Sequence, residues 1–289
     1  MMRSSGHSDI HRRGRGVALV SVLWIVALLA IVATGLSTNV RSESRIVSNT
    51  IDMLQARYAV EGGVELAAMN LMYPQAERWP SDGSVRNLAI GNARVRIATT
   101  EVTGKIDLNF GAPELIRGLI VQAGVEDEQA DMLTDAILDW RDKDDFRRLN
   151  GAEDGEYRMA GLPYGAKDAM FDSVDELRLV LGMTDEIFAS IESSLTLYSG
   201  QTGVNPLQAS SQVKAALSGL DNLKSTAATN TYTVQVDARI GDTIVSQAEA
   251  TINITYNPIG RPYRILEWRQ PMQRLFSDDA GDESEVLFQ

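Results

Sequence analysis

Residues 11–40 read HRRGRG followed by VALVSVLWIVALLAIVATGLSTNV, a basic preamble to 24 residues (17–40) without a formal charge. As an α-helix that run is roughly 36 Å long, more than the roughly 30 Å hydrocarbon core of a bilayer, so it can span a membrane. Arg3, Arg12, Arg13 and Arg15 precede it against the single acid Asp9, whereas Arg41 and Arg45 flank Glu43 on the far side. Basic residues stay cytoplasmic, which places the N-terminus in the cytoplasm and the chain after residue 40 outside it. A secretory signal peptide would carry a shorter apolar stretch and a small-x-small cut site, for which Ala33-Thr34-Gly35 is the candidate; an uncut anchor needs only the length.

No proline or turn cluster interrupts the chain until Tyr73-Pro74. Val47, Ile51, Leu54 and Tyr58 recur at helical spacing, marking one face of an amphipathic helix. The reading is one helix from Val17 to about Met72, with Gly35 or Gly62-Gly63 as places for a bend. The 289 residues are enough for one to two domains. There is no Cys, and His7 and His11 are the only histidines, both ahead of the apolar run. That removes Cys- or His-based zinc sites, disulfides, Cys nucleophiles and Ser-His-Asp triads from the remainder. With 27 basic and 39 acidic side chains the formal charge is −12, a field that repels nucleic acid.

The acid is concentrated in the middle, where residues 101–200 hold 22 acidic and nine basic side chains. Helices are expected at Pro113–Ala123, Asp127–Trp140, Ser173–Leu181 and Thr184–Ser193, with Ser173 and Glu176 as a capping box. Lys105-Ile106-Asp107-Leu108-Asn109 before Pro113 resembles the entry to a helix-hairpin-helix module, echoed at Gly203-Val204-Asn205-Pro206. The basic flank that grips DNA in such modules is missing, so the fold is retained and the ligand rejected. Between the second and third helices come Asp139-Trp140-Arg141-Asp142-Lys143-Asp144-Asp145, Gly151-Ala152-Glu153-Asp154-Gly155-Glu156-Tyr157, and Asp168. Asp139 and Asp142 share a helix face but Asp144 does not, so the three converge only if the helix ends there. Many hard oxygens without nitrogen or sulfur suit Ca²⁺, although the spacing is not that of an EF-hand. The competing reading is a solvated acidic loop neutralised by Arg141, Lys143, Arg147 and Arg148.

Beyond the insert, Tyr232 to Ile240 and Ile244 to Ile254 alternate as a hairpin around Gly241-Asp242. Arg264 to Arg269 supplies a third strand and Ala93 to Val102 another, while Ser210 to Thr231 reads as a loose helix or a connection. A helix covering an antiparallel sheet is an α+β solution. The tail from Ser277 is acidic and expected to be disordered. Its end, Glu285-Val286-Leu287-Phe288-Gln289, resembles the remnant of a viral 3C-type protease site and is set aside.

Two resemblances tie these parts together. Basic residues, then Gly16, then Val17-Ala18-Leu19-Val20-Ser21, are similar to the class III leader of type IV prepilins and pseudopilins. The resemblance implies that a prepilin peptidase cuts after Gly16 and methylates Val17. Ser21 stands at the fifth mature position, where most of the family has Glu to neutralise a neighbouring subunit's ammonium in the filament centre. A subunit lacking that acid suits the tip, where the neighbour is missing. Asp139-Trp140-x-Asp142-x-Asp144, Gly151-Ala152-Glu153-Asp154 with Tyr157, Pro163-Tyr164, Asp168 and Ser173-Val174-x-Glu176-Leu177 before Leu181-Gly182-Met183 resemble the K-type minor pseudopilins of type II secretion systems.

That family implies an α+β fold: a pilin-like long N-terminal helix on a small antiparallel sheet, with an inserted all-α subdomain of helix-hairpin-helix or SAM-like type. The expected division is a leader at 1–16, a transmembrane first half of the helix at 17–40, a pilin-like domain at 41–103 and 200–276, a helical insert at 104–199 and a tail at 277–289. It further implies structural Ca²⁺ held by a subset of Asp139, Asp142, Asp144, Glu153, Asp154 and Asp168. The implied role is non-enzymatic, at the pseudopilus tip, with I- and J-type minor pseudopilins, the major pseudopilin and the prepilin peptidase as partners, in the inner membrane and without nucleic acid. The rivals are an anchored binding or adhesion module and a hydrolase using carboxylates such as Asp142 and Glu153.

Overall fold

A computed structural model describes residues 14–74, 76–241, 243–255, 260–271 and 275–276, apart from the side chains of 14–18, 33–45 and 243–245. The leader before Gly14 and the tail from Ser277 lie outside the described residues. In chain order the elements are α1 (Gly14–Leu71), β1 (Asp82–Ile90), β2 (Ala93–Glu101), β3 (Ile106–Asp107), α2 (Pro113–Gln122), α3 (Asp127–Arg141), α4 (Asp154–Met159), α5 (Asp185–Ile191), β4 (Leu195–Thr196), α6 (Ser211–Ala216), β5 (Thr231–Ile240), β6 (Thr243–Ile254) and β7 (Tyr263–Arg269).

The chain divides into two units, Met1–Gln55 and Ala56–Gln289. In the first, α1 is continuous through Gly35, and side chains from Leu19 to Val32 are solvent-exposed, Leu19, Leu23 and Trp24 among them. Among the described residues no helix is long and apolar enough to cross a membrane. Much of the expected span, including the side chains of Val17 and of residues 33–40, falls outside that set.

In the second unit, Ala56, Ala59, Val60, Val64, Ala67, Ala68 and Leu71 of α1 pack on Val95, Ile97, Val234, Val236, Ala238, Ala250 and Ile252 of the sheet. The packed face therefore differs from the expected one. Val47, Ile51, Leu54 and Tyr58 are exposed, and alanines do the packing because small side chains let a helix axis approach a pleated surface closely. Gly63 serves this approach and not a bend: a Cβ there would lie 2.7 Å from Val236 Cγ1.

The sheet is antiparallel in the order β1-β2-β5-β6-β7. Its other face carries charge, notably Arg96 opposite Asp237, whose carboxylate is fully buried and accepts from Arg96 Nε at 3.0 and 3.1 Å. β1 was not anticipated, since its sequence DGSVRNLAI is half-buried without clean alternation.

Between β2 and β5 a second core forms from α2, α3, α4, α5 and α6, centred on Leu115, Leu119, Leu133, Ile137, Tyr157, Leu177 and Phe188. It runs past the expected boundary at Ser199, because Val204, Val213, Ala216 and Leu217 belong to it. Gly118 of α2 makes room for α6, with a Cβ at that position falling 2.8 Å from the Ala216 carbonyl oxygen. The helix expected at Ser173–Leu181 is a 3-10 helix, Val174–Leu179, and Ser173 does not cap it. Glu176 is drawn away from the capping box by Lys167 Nζ, 2.8 Å from Oε2. Thr184 does cap α5, accepting from Ile187 N at 3.3 Å.

The segment read as a helix-hairpin-helix entry closes the insert at its base. Asp107 is fully buried and accepts from the amides of Asn109, Phe110, Ser199 and Gly200, at 2.9, 3.1, 3.1 and 2.8 Å. A short parallel pair, β3 with β4, brings those two ends together. The echo at Gly203–Pro206 is also structural, with Asn205 N donating to Thr103 O at 2.7 Å.

A candidate cation-binding loop

α3 stops at Arg141 because Asp142 turns extended, with ψ at 179°. This leaves Asp139 inside the last turn, fully buried, while Asp142 leads into the loop. Arg148 folds back over both acids. Its amide donates to Asp139 Oδ2 at 3.1 Å, its Nε lies 3.3 Å from Asp139 Oδ1, and its Nη2 donates to Asp142 Oδ2 at 2.9 Å. Gly151 passes so close beneath that a Cβ would sit 1.9 Å from Asp139 Oδ2. Glu153, 7% exposed, then starts α4 in a capping box with Glu156, whose Oε2 accepts from the Glu153 amide at 3.1 Å. Asp168 enters from the far side with φ at +52°, a left-handed conformation uncommon for a residue with a side chain.

An aromatic wall backs the loop. Trp140 packs on Tyr157 at 5.8 Å between ring centroids, on Phe171 at 6.2 Å and on Tyr164 at 6.5 Å. The Tyr157 hydroxyl accepts from Leu181 N at 3.0 Å, and burial pushes its pKa up to about 12. Asn109 holds the end of this wall by a two-point clasp, accepting from Phe171 N at 2.8 Å and donating to Phe171 O at 3.0 Å.

The structure separates the six predicted residues. Asp139 is satisfied by Arg148. Asp144 accepts from Phe146 N at 3.0 Å, shaping the turn. Asp154 is exposed, pairs with Arg158 at 3.3 Å, and has its carboxylate over Gly165, where a Cβ would lie 1.6 Å from Oδ1. Asp142, Glu153 and Asp168 each retain a buried oxygen, Oδ1, Oε1 and Oδ1, without a hydrogen-bond partner.

The titration of these groups records the same shortage of positive charge. Burial, reinforced by the charges of Asp139, Asp168 and Asp142, raises Glu153 to about 7. Burial raises Asp139 to about 6 against the opposing pull of Arg148, and also raises Asp142 and Asp168. As placed, no group of three or more such side chains among the described residues is drawn together tightly enough to hold a metal. The donor set nevertheless fits a hard cation. Three orphaned oxygens around a buried carboxylate cost free energy that an oxygen-seeking ion would recover.

Of the four bases expected to neutralise the loop, Arg148 does so and Arg147 pairs with Glu156 at 3.5 Å. Arg141 turns away, donating to the carbonyls of Leu108 at 2.7 Å and Gly111 at 3.1 Å. Arg148 as a bridge, Gly151 as a close-approach residue and the Asp107 and Asn109 clasps were missed. All lie within quoted motifs, but nothing in their spacing distinguishes a buried clasp from a surface charge. Gly16 and Val17 are helical, with side chains outside the described set, and Ser21 is exposed on α1.

A helix laid on an antiparallel sheet, with an all-helical insertion bearing an acidic, oxygen-lined loop, defines the class. Residues 96–200 match the family model described as type II secretion system (T2SS), protein K. Type II secretion system protein K of Klebsiella pneumoniae is 27% identical over 224 residues, covering 69% of this chain and 68% of that one. The protein K of Aeromonas hydrophila is 29% identical over 210 residues, 62% of each chain, and that of Pseudomonas aeruginosa 29% over 194 residues, 58% of each. The fold is similar to one in the crystal structure of the GspK–GspI–GspJ complex from the enterotoxigenic Escherichia coli type 2 secretion system, with a TM-score of 0.57, 14% identity, and coverage of 81% of this chain and 100% of that one. The chain belongs to the type II secretion system protein K family.

Proposed function

We propose that this chain is a minor pseudopilin that acts as an assembly subunit at the tip of a type II secretion pseudopilus. The observation that carries the reading is the insertion: the matched segment, 96–200, coincides with most of the helical core between β2 and β5. The first unit supports it. Exposed apolar side chains along α1, from Leu19 to Val32 and at Val47, Ile51 and Leu54, suit lipid before assembly and neighbouring helices after it. On this reading the prepilin peptidase cuts between Gly16 and Val17, the N-terminus is cytoplasmic, and the head is periplasmic, held by the inner-membrane helix. Ser21 in place of an acid favours a position without a preceding subunit. The I- and J-type minor pseudopilins are the expected neighbours, followed by the major pseudopilin.

Ca²⁺ completes the loop in this proposal, supplying positive charge at a fixed point with a structural role and no chemistry. Asp142, Glu153 and Asp168 hold it through their orphaned oxygens, while Asp139, with Arg148 and Gly151, positions the end of α3 behind them. Asp144 and Asp154 remain turn and surface residues. The experiment is mass spectrometry of the protein recovered from membranes, together with co-purification with I- and J-type subunits. A methylated Val17 terminus and a ternary complex are expected. An intact Met1, or a cut near Gly35, is incompatible with the assignment.

A further inference from the structure

Arg148 stands out in the acidic loop as a cation that the chain itself provides. Its guanidinium reaches a fully buried carboxylate, Asp139, and one oxygen of Asp142, while the other oxygen of Asp142 has no partner. Glu153, more than nine-tenths buried, also has an orphaned oxygen, so the loop has acceptors to spare beyond those that Arg148 serves. The backbone around Arg148 is secured independently of its side chain. Its amide is bound to Asp139 at 3.1 Å, Arg147 pairs with Glu156, and Asn150 N donates to Asp135 Oδ2 at 3.0 Å. The side chain, 41% exposed, can therefore leave without the loop losing its anchor.

We infer that Arg148 is a resident counter-ion, which occupies the Asp142 carboxylate when no divalent cation is present and is displaced from it when one binds. The inference rests on the calcium reading above. A carboxylate shared between a guanidinium and a metal gives each less than its full strength, so the arginine lowers cation affinity while stabilising the empty loop. It thus sets the concentration at which the loop fills, and filling returns a positive side chain to the surface. Thermodynamic linkage makes this quantitative, because whatever the guanidinium contributes to folding of the empty protein must be given up on binding.

The experiment is calcium titration by calorimetry of the full chain in detergent, as wild type, Arg148→Gln and Arg148→Lys, with denaturant unfolding of each in chelator and in calcium. Arg148→Gln is expected to bind calcium about fivefold more tightly, in keeping with a partly exposed ion pair, and to lose folding equilibrium in chelator by the same factor but not in saturating calcium. Arg148→Lys, which retains the charge and loses the fork, stays close to wild type in affinity. Equal or weaker binding by Arg148→Gln, with wild type binding normally, overturns the counter-ion role and leaves the calcium site standing. Equal tightening in both variants also overturns it, because a general loosening of the loop then explains the gain. Binding by Arg148→Gln alone supports displacement in its strongest form. Binding by none of the three removes both the site and the role.

Discussion

Two residues show how little tolerance the insert has. Asp107 serves four backbone amides and the Ser199 hydroxyl, the latter at 3.1 Å, from a site closed to water. Replacing it by Ala strands those donors, and Asp107→Ala is expected to lose about 3 kcal/mol in urea unfolding, since orphaned buried donors forfeit their desolvation cost in full. Asp107→Asn, accepting through one oxygen only, falls between. A loss below about 1 kcal/mol contradicts the closure described for the base of the insert. Gly151 tests the neighbouring contact. A methyl group 1.9 Å from Asp139 Oδ2 must push that carboxylate off the Arg148 amide, so Gly151→Ala is expected to cost about 2 kcal/mol and to weaken calcium binding. Unchanged stability in that variant means that Asp139 does not hold the end of α3.

At the scale of elements, the charged face of the sheet depends on Glu249 of β6. Gln235 Nε2 donates to its Oε2 at 2.7 Å from β5, and Arg269 Nη2 to its Oε1 at 3.1 Å from β7. Burial alone would push this carboxyl up, but the charge of Lys105, the Gln235 bond and Arg269 outweigh it and hold the carboxyl below its ordinary 4.5. A carboxylate depressed by folding contributes stability above its unfolded pKa and loses it as pH falls through the folded value. Melting temperatures of wild type and Glu249→Gln are therefore expected to differ at neutral pH, with wild type higher, and to converge from about pH 4.5 downward. Parallel curves over that range argue that the three strands are not joined through this group. The edge strand β1 was missed for a related reason. Half-burial on both faces lets polar and apolar residues mix, and the alternation that exposed β5 and β6 in the sequence is lost.

For the whole molecule, calcium is expected to act as a ligand of the native state only. At a hundredfold excess over its dissociation constant it adds about 2.7 kcal/mol, or about 5–10 °C of melting temperature for a chain of this size. Differential scanning calorimetry in chelator and in calcium measures this directly, and coincident melts in the two conditions refute the cation site. Magnesium should do much less, because the loop offers carboxylates at irregular positions and Mg²⁺ demands near-octahedral order.

Much of the architecture follows from local pattern. The unbroken run to Leu71, the caps and apolar spacing of α2, α3 and α5, and the alternation of β5 and β6 depend on neighbours three or four residues apart, or two, and are visible without a fold. The acidic loop is visible as composition. What local pattern cannot rank is which of several equivalent-looking residues meets a distant partner. Alanines instead of Tyr58 and Leu54 face the sheet because helix-to-sheet distance sets the size allowed there. Glu176 caps nothing because Lys167 reaches it first, and Asp142, Glu153 and Asp168 retain open oxygens while Asp139, Asp144 and Asp154 do not. Each of these outcomes is settled by packing and charge across the core, where separation in space no longer tracks separation along the chain.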